Sequence, residues 1–146
     1  MRRGKNFLLS KKRKELIIVR LTRLMEELSE IVFAFLHGSF IEEGPFRDLD
    51  LVVYVEPSCP AAGDQALEYE LKMEMLLEET AGFPVDFRVL NRAPVPFRYN
   101  VLKNGRLLFC RDEELYAGFL SHTLASYFDF AFYRKRYLKE VLGLEI

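Results

Sequence analysis

Residues 31–55 read IVFAFLHGSFIEEGPFRDLDLVVYV. Two apolar, β-prone runs, Ile31 to Leu36 and Asp48 to Val55, have the continuous hydrophobicity of buried strands. Between them Glu42, Glu43, Gly44 and Pro45 supply turn chemistry. The first strand delivers His37, Gly38 and Ser39 to its end, and the second opens on Asp48 and Asp50. Residues two apart on a strand share one face, so these carboxylates converge while Leu49 and Leu51 turn to the other side. Two like charges near a core call for a cation or a polar cleft, and hard divalent ions such as Mg²⁺ take carboxylate and phosphate oxygens. Gly38 lets the backbone approach a phosphate closely, and the Ser39 hydroxyl adds a donor. Taken singly, the acidic pair also fits a solvated strand entry and Gly38-Ser39 an ordinary turn. Together they place an anion-binding turn beside a two-carboxylate metal site.

Upstream, Ile17, Leu21, Leu24, Leu28 and Ile31 recur at helical spacing, with Arg20, Arg23, Glu26, Glu27 and Glu30 elsewhere on the wheel. Downstream, Pro57, Pro60 and Gly63 break the chain before a second amphipathic helix marked by Tyr69, Met73, Leu76, Leu77 and Thr80, which ends near Gly82. Pro84 starts a third strand, Val85 to Leu90, and Arg106 to Phe109 reads as a short fourth. A long helix runs from Asp112, with Glu113 and Glu114 in its first turn, to about Leu142. This order predicts an α/β (α+β) fold, a small mixed β-sheet flanked by helices.

The chain has 146 residues, half of them hydrophobic and 14% aromatic, enough for one compact domain spanning 1–146. Its net charge of -1 hides an asymmetry, because residues 1–14 hold seven cations and no acid, leaving 14 basic against 22 acidic residues in the body. A body near -8 is a poor nonspecific binder of nucleic acid, which needs clustered cations. Residues 2–14 read as a solvated basic leader whose contact with nucleic acid is weak at most. Phe7, Leu8 and Leu9 are too short a run for a secretory core, and no stretch has the length of a membrane span, so a cytoplasmic location is expected. Cys59 and Cys110 lack partners at zinc spacing and read as reduced thiols.

The strand, Gly38-Ser39, an eight-residue loop and Asp48-Leu49-Asp50-Leu51 resemble the nucleotidyltransferase superfamily typified by DNA polymerase beta. More closely, they resemble its minimal prokaryotic members, including the MntA-type antitoxins that pair with HEPN-domain toxins. Val85-Asp86-Phe87-Arg88-Val89-Leu90-Asn91, then Ala93-Pro94 and Gly105 to Phe109, are similar to the family's third-carboxylate strand and the segment after it. The resemblance covers most of residues 31–140 and implies the nucleotidyltransferase fold. It implies that Gly38 and Ser39 bind the nucleotide triphosphate and that Asp48, Asp50 and Asp86 are catalytic and bind one or two Mg²⁺ ions. It also implies ATP as substrate and AMP transfer to a hydroxyl, a tyrosine on a HEPN-type toxin partner. In many minimal members ten residues with an Ala-Arg-Gly stretch precede the first Asp. Here Phe40 to Arg47 supply eight, two of them acidic, and Arg47 stands where the family often has Ser.

Two other readings are weighed with this one. A weak or inactive nucleotidyltransferase-fold module would neutralise a partner by docking alone, and a small-molecule enzyme of the aminoglycoside-modifying kind would use a soluble acceptor. Asp86 also has a plain reading, a strand aspartate paired with Arg88. His37 reads as a packed or partly exposed residue and His122 as a structural one. The aromatics of the last helix, among them Tyr127, Phe128, Phe130 and Tyr133, spread around its wheel and suit a docking surface for a partner or a second copy.

Overall fold

The computed structural model describes residues 6–143. Arg2, Arg3 and Lys5 of the expected leader lie outside the described residues. The elements are α1 (Lys11–Glu26), β1 (Ile31–His37), β2 (Leu49–Val55), α2 (Ala66–Ala81), β3 (Val85–Val89), α3 (Val95–Asn104), β4 (Arg106–Cys110) and α4 (Glu113–Leu142). Single 3-10 turns, Ser39–Ile41 and Pro60–Ala62, follow β1 and β2.

The sheet is mixed, in the order β3-β2-β1-β4. β1 runs antiparallel to both β2 and β4, whereas β2 and β3 are parallel. A parallel pair cannot close through a hairpin, and α2 supplies the crossover. α1 and α2 cover one face, burying Leu21, Met25, Leu51, Met73, Leu77 and Phe87. The other face packs Phe33, Phe35 and Val52 against Val101 of α3 and Phe119 of α4. Ser10 caps α1 by accepting from the Arg13 N–H at 3.2 Å. Asp112 caps α4 through the Glu114 and Leu115 N–H groups at 3.0 and 3.1 Å.

β3 is an edge strand, and its outward N–H groups are taken up by glutamates of α2. The amides of Val85, Phe87 and Val89 donate to Glu78, Glu74 and Glu70 at 3.1, 3.0 and 2.9 Å. A helix period of four residues thus matches a strand period of two, and one side of the sheet is closed by side chains.

Three sequence expectations change. The basic stretch 11–14 is the first turn of α1 rather than leader, and Lys14 is only 7% exposed. Its ammonium donates to the carbonyls of Glu42 and Gly44 at 2.8 and 3.3 Å and sits 5.2 Å from the ring centres of Phe40 and Phe46. Helix one ends at Glu26, although its apolar period runs to Ile31. Leu28 stays against the core from the turn, so the pattern outlives the helix. The third change is α3, an added helix between β3 and β4. Pro94 and Pro96 disguise it, since proline is tolerated in a first helical turn.

Candidate active site

Across the sheet His37 pairs with Asp50, and Asp50 with Asp86. Laterally paired residues share a face, so the three side chains stand in a row on the side of α3 and α4. Asp48, just ahead of β2, completes a cluster in which one oxygen from each of Asp48, Asp50 and Asp86 lies within 4.8 Å of the others. The cleft is at the ends of β1, β2 and β3. A cavity of about 170 Å³ opens there, walled by His37, Asp50, Asp86, Arg88 and Phe97. A larger cavity, about 440 Å³, lies between α1 and the loop at Phe40 to Gly44, and none of the three aspartates lines it.

Gly38 has φ 85° and ψ -160°, a combination almost confined to glycine. A Cβ there would meet the Asp50 carboxylate at 2.2 Å. The turn is therefore pressed against the acid that the second strand delivers. Ser39 opens the 3-10 turn, half-exposed, and the first N–H groups of such a turn find no partner within it. The following loop is anchored at both sides. Lys14 holds the carbonyls at Glu42 and Gly44, and Phe46 exchanges backbone hydrogen bonds with Phe7 at 2.8 and 3.0 Å. Phe40 and Phe83 pack their ring edges on Phe46 at 4.7 and 5.2 Å.

Burial pushes the Asp50 carboxyl up to about 7, with the charge of Asp48, a hydrogen bond to it and the charge of Asp86 acting in the same direction. Arg88 opposes them. Its Nε is 3.5 Å from Asp86, with both groups open to solvent, and its guanidinium carbon is 5.8 Å from the Phe97 ring centre. Asp86 thus pairs with Arg88 and also stands in the cluster of three carboxylates. One partly exposed guanidinium is a weak counter-ion for three carboxylates. The donor set of hard oxygens and the crowding at Asp50 fit a divalent cation.

His37 is half-exposed at the cavity wall, its Nε2 3.5 Å from the Asn100 side chain. Arg47 is exposed. His122, expected to be structural, is exposed at the rim of a separate cavity with Tyr54 and Arg98. Phe97 and Asn100 are not legible in the sequence, because α3 carries too little apolar periodicity to be read, and Lys14 is hidden within a run of cations. The pattern of Pro96 in a first turn and Gly105 after the last was the available signal for α3.

A mixed sheet thus brings a glycine turn against three clustered carboxylates, a donor set whose chemistry suits a hard cation. The chain belongs to the family described as "Polymerase beta, Nucleotidyltransferase", whose family model matches residues 20–114. No curated protein matches the sequence. Among solved structures it is similar to a chain of the tri-AMPylated Shewanella oneidensis HEPN toxin in complex with MNT antitoxin, with TM-score 0.66 and 17% identity over 88% of this chain and 98% of that one. It is similar to a chain of the toxin-antitoxin MntA-HepT, at TM-score 0.60 and 17% identity over 91% and 99%. A third is the toxin-antitoxin with AMP-PNP, at 0.63 and 18% over 88% and 98%. At these identities the likeness is one of fold. Among the described residues no helix is long and apolar enough to cross a membrane.

Proposed function

We propose that this chain is a cytoplasmic antitoxin that transfers AMP from ATP to a tyrosine hydroxyl of a HEPN-type toxin. The observation that carries the reading is the Asp48, Asp50 and Asp86 cluster with Gly38 pressed against it. The three carboxylates would hold Mg²⁺, which when bound lowers the pKa of an attacking hydroxyl and neutralises charge on phosphate oxygens. Gly38 and Ser39 orient the triphosphate through backbone N–H groups and the Ser39 hydroxyl. The acceptor oxygen bonds to the α-phosphorus, the bond from that phosphorus to the bridging oxygen breaks, and pyrophosphate leaves. Asp86 accepts the hydroxyl proton. Likeness to chains of an AMPylated toxin complex and an AMP-PNP complex supports this choice of acceptor and nucleotide.

The docking-only reading rests on the loop between Ser39 and Asp48, which carries Glu42 and Glu43 where a phosphate grip would use cations, and whose nearby Lys14 is spent on carbonyls. The intact mass of a HEPN-domain protein from the same genome, after incubation with ATP and Mg²⁺, separates the two. AMP addition is expected with the wild type and should fall by roughly 10²–10⁴-fold with Asp86→Asn, the range for losing a positioned acid or base. A tight complex with no mass change, under conditions where ATP binds, sinks the transfer reading.

A further inference from the structure

α4 has 30 residues, about 45 Å of helix, and only its first half lies on the sheet. The positions in line with its buried residues alternate at spacings of four and three: Phe119, Thr123, Ser126, Phe130, Tyr133 and Tyr137, with Val141 a turn later. Phe119 and Thr123 are buried. Tyr127, beside this seam, is stacked on Tyr99 of α3 at 3.7 Å and is satisfied within the chain. From there on the same face runs free. Phe130, Tyr133, Tyr137 and Val141 are 50, 64, 56 and 61% exposed. A core-facing seam thus continues for about three turns beyond the body, in the spacing on which a second helix packs.

Charge selects the occupant. This half of α4 carries Arg134, Lys135, Arg136 and Lys139 against Asp129 and Glu140, and Arg136 already engages Glu140 at 3.0 Å. A second copy would lay this basic segment against itself, whereas a helix with acidic flanks meets opposite charge. Position selects it too. α3 offers Tyr99 to the start of the overhang and Phe97 and Asn100 to the triad cavity and His37, so the seam begins beside the cleft on the same side of the sheet.

We propose that this overhanging seam is the dock for the acceptor protein, which lays an apolar helix with acidic flanks along Phe130, Tyr133, Tyr137 and Val141 and thereby brings its hydroxyl to the triad. The inference rests on the protein-acceptor reading above. The test uses the full chain, the HEPN-domain protein as probe, and two double variants: Phe130→Glu with Tyr137→Glu on the seam, and Phe128→Glu with Phe132→Glu off it. Affinity for the probe should fall at least tenfold in the seam variant and remain within about threefold in the other, while calorimetry shows Mg²⁺·ATP binding unchanged in both. Wild-type affinity should weaken as salt rises. Ultracentrifugation of the chain alone should give a monomer. Equal affinity of the seam variant, no complex with the wild type, or a wild-type dimer that the seam changes dissociate would each overturn the proposal. A seam-dependent complex without AMP transfer would keep the dock and refute the transfer, whereas AMP transfer at an unchanged rate by the seam variant would do the reverse.

Discussion

In the cleft the Asp50 Oδ2 fills the space a Gly38 side chain would need. That crowding has a thermodynamic sign. A carboxyl raised from its ordinary 3.8 to about 7 binds a proton in the folded chain that the unfolded chain has released. Between those values the folded state holds more protons, so stability falls as pH rises from about 4 to 7. Asp50→Asn should therefore stabilise the metal-free chain relative to wild type at pH 8 and change it little at pH 4. Urea melts at the two pH values check this, and an equal effect at both would refute it. Saturating Mg²⁺ should shrink the difference at pH 8, because the cation replaces the proton. Asp48 and Asp50 are legible in the sequence because a strand converts a two-residue spacing into a shared face, Gly38 is legible as the turn that ends a buried run, and Asp86 only through the family resemblance. His37 was harder to read, since its alignment with Asp50 depends on strand register, which local spacing does not encode.

Three strands and three helices can be read from apolar runs and periods, and β4, which buries none of its residues fully, from the Asn104-Gly105 turn ahead of it. α3 could not, because its ten residues present only Val101 as a fully buried position and begin among prolines. The N-terminal cations misled for a related reason: composition cannot distinguish a solvated lysine from one whose head finds carbonyls inside. Lys14 makes this concrete, since it ties α1 to the loop that follows the Gly38-Ser39 turn. Lys14→Met keeps the stem but leaves the Glu42 and Gly44 carbonyls without that donor. Hydrogen bonds to charged groups contribute about 1.5–3 kcal/mol, so the urea midpoint should drop accordingly with an unchanged slope. ATP affinity should also fall, as the loop beside Ser39 loosens. A variant as stable as wild type would mean that Lys14 is incidental to the loop.

At the scale of the molecule, one sheet carries two separate tasks: α1 and α2 stabilise it from one side, and the triad, α3 and α4 use the other. The two sides are linked at the β3 edge, where Glu70, Glu74 and Glu78 take the strand's outward amides. Changing all three to Ala should leave those amides open to strand addition and yield oligomers by light scattering, whereas changing them to Gln, which still accepts, should stay monodisperse. Oligomers in neither variant would show that the edge is protected some other way. These glutamates also act as a ruler. A one-residue slip of β3 would turn Asp86 to the opposite face, and it would also put every amide out of phase with the glutamates. Length changes between Glu56 and Gln65 leave that phase untouched, while those between Glu78 and Val85 alter it. Insertions and deletions compatible with the fold should therefore collect before α2 and be missing after it, so the reading frame of the third carboxylate is kept by a helix on the opposite face of the sheet.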